Sequence, residues 1–367
     1  MLSCAAVSDA DVQRVHSSAI LIDTHNDVPM KMLRGYDIGQ PSPSGSTDLQ
    51  RLRTGGVDAV FFAAYVPRRY AATKGAAAAY CRRLIQTIRN QAAKHSGQFA
   101  FATTADLIVA ASKQGKIAAL IGIEGGHAIE DRVELLREFF KSGARYMTLT
   151  HSNTNNWADS SGDKPRHGGL NDLGRTIVAE MNRLGMMVDV SHVSDETFND
   201  VMAVAKAPVI ASHSSCRAIA QAKRNMSDDM LRALAKNRGV IQINFACDFL
   251  NEQVRTERTT EKAAVRKKYG DDMDALRGAV EKQFRRATLA DVIAHIDHAV
   301  KVAGIDHVGI GSDFDGIDCA PAGLEHNGKF PALTRALLER GYTPDQIHKI
   351  YGGNTLRVMR EVERAAH

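Results

Sequence analysis

Eight short apolar, β-branched runs recur along the 367-residue chain, each followed by a helical pattern, and this alternation constrains the fold more than any other feature. The runs are 20–23, 59–63, 117–123, 145–150, 186–190, 208–211, 240–244 and 307–311. Between them lie helix-like stretches at 76–93, 131–141, 172–184, 195–205, 227–236, 289–303 and 331–340. Ser227, followed by Asp228 and Asp229, is a clear helix start: its hydroxyl can accept from a free backbone N–H, and the acids complement the helix dipole. Strands that alternate with helices pair in parallel, because the helix returns the chain to the same end of the sheet. Eight such units, closed on themselves, predict an α/β fold of the (β/α)₈ TIM-barrel type.

Two segments fall outside the rhythm. Residues 251–286 are rich in Glu, Lys and Arg and are expected to form a mostly helical insertion between the seventh and eighth strands. The tail from Thr343 opens Thr-Pro-Asp, a good helix start with Pro344 at the first helical position, and runs through Gly352-Gly353 into a last helix. No repeat or low-complexity linker breaks the chain, so residues 1–367 are read as one domain. With 44% hydrophobic and 24% charged residues, a core of this size stands without a structural metal, and any metal is expected to be catalytic. The net charge of +5 comes from 47 basic and 42 acidic residues scattered among one another. Without a basic stripe or a known module, no nucleic-acid partner is expected. No run approaches the roughly 18 apolar residues of a membrane span. Residues 1–6 show neither a charged n-region nor a long apolar stretch, though a Leu-x-x-Cys pattern can precede lipid attachment; location stays open between export with a removed signal and the cytoplasm. Cys4, Cys81, Cys216, Cys247 and Cys319 form no Cys-x-x-Cys pair, and are expected to be buried thiols.

Barrel enzymes place their reactive groups at the C-terminal ends of strands, and those ends are crowded with histidine and carboxylate. The first run leads into Asp23-Thr24-His25-Asn26-Asp27, where alternate residues of an extended chain face the same side. The third ends Glu124-Gly125-Gly126-His127, the fourth Thr150-His151, the fifth Ser191-His192, the sixth Ser212-His213. The eighth ends Gly311-Ser312-Asp313-Phe314-Asp315. One such histidine would be an ordinary loop residue; four on one rim, with carboxylates, point to a divalent metal such as zinc. His25, Asp27, Glu124, His192 and His213 are too many ligands for one catalytic zinc. Glu124, with two oxygens, can bridge two ions that share a water or hydroxide. His295 and His298, three apart within the 289–303 helix, are read as structural. His127 and His167 stand close enough to the rim to support the ligands.

The ordered set His25-x-Asp27, Glu124-Gly-Gly, Thr150-His151, Ser191-His192, Ser212-His213-Ser-Ser, Lys223-Arg224-Asn225, Gly311-x-Asp313-Phe-Asp315-Gly and Gly352-Gly-Asn354-x-Leu-Arg357-Val resembles the membrane (renal) dipeptidase family of zinc metallopeptidases. The match runs from Ile20 to Val358, in the family's order. The resemblance implies an amidohydrolase-like barrel with two Zn²⁺ per chain that cleaves free dipeptides, including those with a C-terminal D-residue, and a homodimer. It implies His25 and Asp27 at one zinc, His192 and His213 at the other, and Glu124 bridging them. His151 would stabilise the oxyanion, Asp313 would handle the proton passed to the leaving amine, and Arg224 would hold the substrate carboxylate. The same roles satisfy what amide hydrolysis requires: an activated water, charge stabilisation at the carbonyl oxygen and a proton for the departing nitrogen.

Three departures stand out. Where the family carries a tyrosine shortly after the seventh strand's Asn-Phe, this chain reads Asn244-Phe245-Ala246-Cys247-Asp248-Phe249, so a hydroxyl contact from that loop is not expected. The 251–286 segment is longer than usual. The C-terminus, ending Arg364-Ala365-Ala366-His367, lacks the apolar tail that a lipid anchor replaces in the animal enzymes. Two other readings compete. A barrel hydrolase of cyclic amides, lactams or phosphoesters would more often show His-x-His on the first strand or a bridging lysine. A scaffold with a relic metal site would have lost a catalytic group.

Overall fold

The computed structural model describes residues 6–259 and 285–366. Its sheet is parallel throughout, with strands β1 Leu21–Asn26, β2 Val57–Tyr65, β3 Phe99–Phe101, β4 Ile117–Glu124, β5 Ala144–Thr148, β6 Met187–Asp189, β7 Ile210–Ser214, β8 Val240–Ile243 and β9 Val308–Ile310. The order β1-β2-β4-β5-β6-β7-β8-β9 reproduces the eight expected units. Closure comes from the isolated bridge between Asn26 and Phe314. There Asp27 N donates to Phe314 O at 2.9 Å and Asp313 N to His25 O at 3.0 Å. The three-residue β3, too short to show a period, pairs with β4 at Ile117–Ala119, ahead of the stretch that pairs with β5. β1 and β4 are buried at every position, as expected of parallel strands covered on both faces.

The predicted helix starts carry their caps. The Ser227 side chain accepts from Met230 N. Thr343 forms a reciprocal capping box with Gln346, with Pro344 in the first turn. The last helix, Asn354–Ala365, plugs the N-terminal end of the barrel. Leu356, Val358, Met359 and Val362 cluster with Ile22, Ala59, Ala118, Met187, Ile210 and Val240 near the strand starts, each buried aliphatic side chain being worth roughly 1.5–3 kcal/mol. Thr355 accepts from Gln242 at 2.9 Å, and Asn354 donates to Ile305 O and Val308 O. A Cβ on Gly352 would lie 2.2 Å from Ile20 O, so only glycine lets the tail approach β1 this closely. The Gly352-Gly353-Asn354 motif is therefore structural, and chemistry is left to the opposite mouth.

One expectation needs revising. Cys247 and Cys319 are not thiols: they form a disulfide with Cα atoms 5.6 Å apart at a sequence separation of 72. Sequence spacing cannot show this pair, because only the pairing of β8 with β9 sets the loops after them side by side. Cys81 and Cys216 are buried free thiols as expected, and burial pushes the Cys216 thiol up to about 12. The insertion expected at 251–286 lies, for 260–284, outside the described residues; 252–259 is helical.

Candidate active site

Six strands, β1, β4, β5, β6, β7 and β9, deliver the pieces of the site to the C-terminal mouth. His25 stands on β1 and Asp27 just past it, Glu124 ends β4, and His213 lies on β7. His151, His192 and Asp313 lie in the loops beyond β5, β6 and β9. His192 and Asp313 have left-handed backbones, with φ of 68° and 61°. Non-glycine residues hold that conformation only where surrounding contacts impose it, which happens most often at functional sites.

The structure brings seven of the predicted residues together. Overlapping groups, His25–Glu124–His213, Glu124–His151–His192 and His25–Asp27–Asp313, each have ligand atoms within 4.8 Å of one another. Glu124 Oε1 is 2.9 Å from His192 Nε2, 3.4 Å from His213 Nε2 and 3.6 Å from His151 Nε2. Its Oε2 is 3.7 Å from His25 Nε2, which is 3.3 Å from Asp27 Oδ2. His213 stands between the two halves, its ring centre 3.7 Å from that of His25 with the planes tilted by 31°, and its Nε2 2.8 Å from that of His192. The eighth residue, Arg224, reaches the rim by donating from Nη2 to His213 O at 2.9 Å. Its guanidinium lies 5.4 Å from the Phe249 ring centre, and its Nε is buried without a hydrogen-bond partner.

A layer behind these residues sets their tautomers. The Tyr146 hydroxyl donates to Thr24 O at 3.1 Å, so it accepts from His25 Nδ1 at 2.8 Å. Ser212 Oγ donates to Asp189 Oδ2 at 2.6 Å and accepts from His213 Nδ1 at 2.8 Å. Both rings then turn an Nε2 lone pair inward, the arrangement found behind metal-ligating histidines. His25 Nε2 and Asp27 Oδ1 are buried with no hydrogen-bond partner. Imidazole nitrogens and carboxylate oxygens converging on one carboxylate, with buried ligand atoms left over, fit a divalent metal.

Burial and the neighbouring charges shift these groups in both directions. Burial pushes the His25 imidazole down, but Tyr146, Glu124 and Asp27 outweigh it and leave it well above its usual range. Burial raises Glu124, yet His151, His25, His192 and His213 pull it well below the carboxylate range. His192 and His213 are driven well down by burial, with Arg224 and neighbouring imidazoles adding to the effect. Burial, then His127 and Arg224 among its neighbours, lowers His151 to about 4 against the pull of Glu124. Burial raises Asp313 well above its usual value; Asp27 and Glu124 reinforce this, and His25 and Asn244 oppose it.

The other histidines sort as follows. His295 is buried, accepting from Cys216 N and donating to Leu250 O, and His298 pairs with Asp228; both are structural. His167 donates to Asn155 O. His127 donates from Nε2 to Val66 O at 2.9 Å, leaving Nδ1 buried without a partner. Sequence reasoning missed Tyr146, Asp189, Ser212 and Asn244. Asn244 Nδ2 donates to Asp313 Oδ2 at 2.8 Å. Asp189 accepts from Thr148, Ser191 N and Ser212 N besides the Ser212 hydroxyl. An aspartate shortly before a strand-end histidine, in Asp23-x-His25 and Asp189-x-x-His192, was the available signal.

Histidines and carboxylates gathered at the C-terminal mouth of a (β/α)₈ barrel, backed by hydroxyls that orient their nitrogens, define a metal-dependent hydrolase of the amidohydrolase barrel class. Sequence comparison narrows the class. The profile described as "Membrane dipeptidase (Peptidase family M19)" matches residues 9–367, and the chain belongs to that family of metallopeptidases. Dipeptidase verJ of Clonostachys rogersoniana is 38% identical over 94% of this chain and 85% of its own. An uncharacterized dipeptidase of Schizosaccharomyces pombe is 36% identical over 95% and 82%. Among solved structures, the probable dipeptidase PvdM of Pseudomonas aeruginosa superposes with a TM-score of 0.87 at 26% identity, covering 97% of this chain and 98% of its own. A metallopeptidase of Rhodobacter sphaeroides, liganded with a phosphinate mimic of the dipeptide L-Ala-D-Ala, does so with a TM-score of 0.78 at 26% identity, covering 94% and 100%.

Proposed function

We propose that this dipeptidase hydrolyses free dipeptides, including those with a C-terminal D-residue, with two zinc ions per chain. The observation that carries the reading is the convergence of four imidazole Nε2 atoms on Glu124. In this reading His25 and Asp27 hold one ion, His192 and His213 the other, and Glu124 serves both. When bound, two such ions supply a water acidic enough to lose its proton near neutral pH. His151, held neutral by burial, donates a hydrogen bond to the carbonyl oxygen as charge develops there. Asp313 accepts the water's proton and passes it to the departing amine. The Arg224 fork, with its unused Nε, fixes the substrate's C-terminal carboxylate and restricts the site to short chains. The Rhodobacter sphaeroides relative with an L-Ala-D-Ala mimic supports the D-residue assignment.

The test is initial-rate hydrolysis of L-L, L-D, D-L, amidated and tripeptide substrates by metal-quantified protein. Cleavage confined to free dipeptides, L-D members included, at about two zinc per chain, is expected. Bound metal without dipeptide cleavage would move the function to another amide or lactam. One metal per fully active chain would remove the bridging role of Glu124.

A further inference from the structure

The loops after β8 and β9 carry Asn244 and Asp313, and they are fastened to each other twice. The Cys247–Cys319 disulfide is one fastening. The residues beside it, Asp248 and Asp318, grip a single guanidinium. Arg258 Nε is 2.6 Å from Asp248 Oδ1, and Nη2 is 2.7 Å from Asp318 Oδ1. The Arg258 side chain is only 1% exposed. A cation this deeply desolvated is tolerated only where its carboxylate partners are held in place.

Short hydrogen-bond paths lead from this double fastening to the site. Cys247 N donates to Cys319 O at 3.1 Å. The preceding Ala246 N donates to Asn244 Oδ1, which turns Asn244 Nδ2 toward Asp313 Oδ2. On the other loop, Asp313 O accepts from Gly316 N and from Ile317 N, next to Asp318. Asp313 has a left-handed backbone, so its carboxylate direction depends on these contacts rather than on local preference.

We propose that Arg258 and the Cys247–Cys319 disulfide act as a positioning clamp for the reaction. Together they hold the Asp313 loop against the Asn244 loop, so that the Asp313 carboxylate stays aligned for proton transfer. The proposal rests on the proton-carrying role given to Asp313 above. Arg258 is a positioning residue, and acts through the two loops. A purely structural role would change how much protein folds or binds metal; the clamp changes turnover per metal-loaded molecule.

The experiment uses full-length, zinc-loaded protein as wild type, Asp313→Asn, Arg258→Met, Arg258→Lys and Cys247→Ser/Cys319→Ser. For each, kcat and KM on a cleaved dipeptide and bound metal are measured. Arg258→Met and the double serine variant are expected to lose about tenfold to a hundredfold in kcat, the scale of a ~1 Å misplacement, with KM and metal content near wild type. Arg258→Lys should recover part of the loss. Reducing the wild-type disulfide with a phosphine should reproduce the fall. The phosphine becomes its oxide with oxygen from water, and two electrons and two protons end on the cysteine thiols. The double serine variant should not respond to the phosphine. If Arg258→Met does not fold, the reduction experiment decides. Unchanged kcat after thiol titration confirms reduction, or a fall that tracks metal loss, would overturn the clamp. Wild-type turnover in Asp313→Asn would overturn the proton assignment itself. An inactive Asp313→Asn beside fully active clamp variants would overturn the clamp alone.

Discussion

Gly316 offers a direct test of how tightly the site is built. It follows Asp313 and Asp315 on the loop beyond β9, and its φ lies outside the left-handed region, so alanine is acceptable to the backbone. The obstacle is what the new methyl would meet: an ideal Cβ would sit 2.2 Å from Asp27 Oδ2 and 2.5 Å from Asp313 Oδ1. Ordinary van der Waals contact begins at 3.4 Å. Both carboxylates must therefore retreat by about 1 Å, a displacement that costs on the order of a hundredfold in rate, or about 2.7 kcal/mol of barrier. Since Asp27 is a proposed ligand, Gly316→Ala should also weaken metal retention. Gly97→Ala is the control, because Gly97 is exposed with nothing within 4 Å of a Cβ; it should stay within about 0.5 kcal/mol of wild type. The assay is kcat/KM on a dipeptide at saturating zinc, with bound metal and thermal midpoint alongside. Full activity and full metal content in Gly316→Ala would refute the claim that these two carboxylates are held in contact with the loop.

Asp313→Asn should keep both metals while losing most turnover, and metal loss in that variant would mean Asp313 is itself a ligand. Arg224→Ala should raise KM for free dipeptides far more than for C-terminally amidated ones; equal effects on both would remove the carboxylate anchor. His295 is buried with both nitrogens engaged, and burial lowers it to about 4, against the pull of Leu250 O. The unfolded chain then binds more protons below pH 6.5, so stability is full above 6.5 and falls as pH drops toward about 4. The loss is up to about 3 kcal/mol. Urea titrations of wild type and His295→Gln across that window should show a shallower pH slope in the variant, and identical slopes would refute the assignment.

The order of strands and helices, the barrel and the chemistry of the rim were all open to inspection in the chain itself. Parallel strands need helical crossovers, so the alternation of runs specified the topology, and the strand-end rule placed His25, Glu124, His192 and His213 at one mouth. β3 escaped because three residues carry no period. The Gly352-Gly353-Asn354 motif had no chemical reading from sequence and proves to be packing against β1 and β9.

What sequence determined by itself was which residue types stand at which strand ends, since periodicity and capping act within a single element. Only the tertiary structure decided how those residues are held. Tyr146 orients His25 across 121 residues of chain, and Asn244 meets Asp313 across 69. Cys247 finds Cys319 across 72. Each of these contacts forms only once the strands are assembled side by side, and its partners belong to elements whose local patterns carry no information about one another.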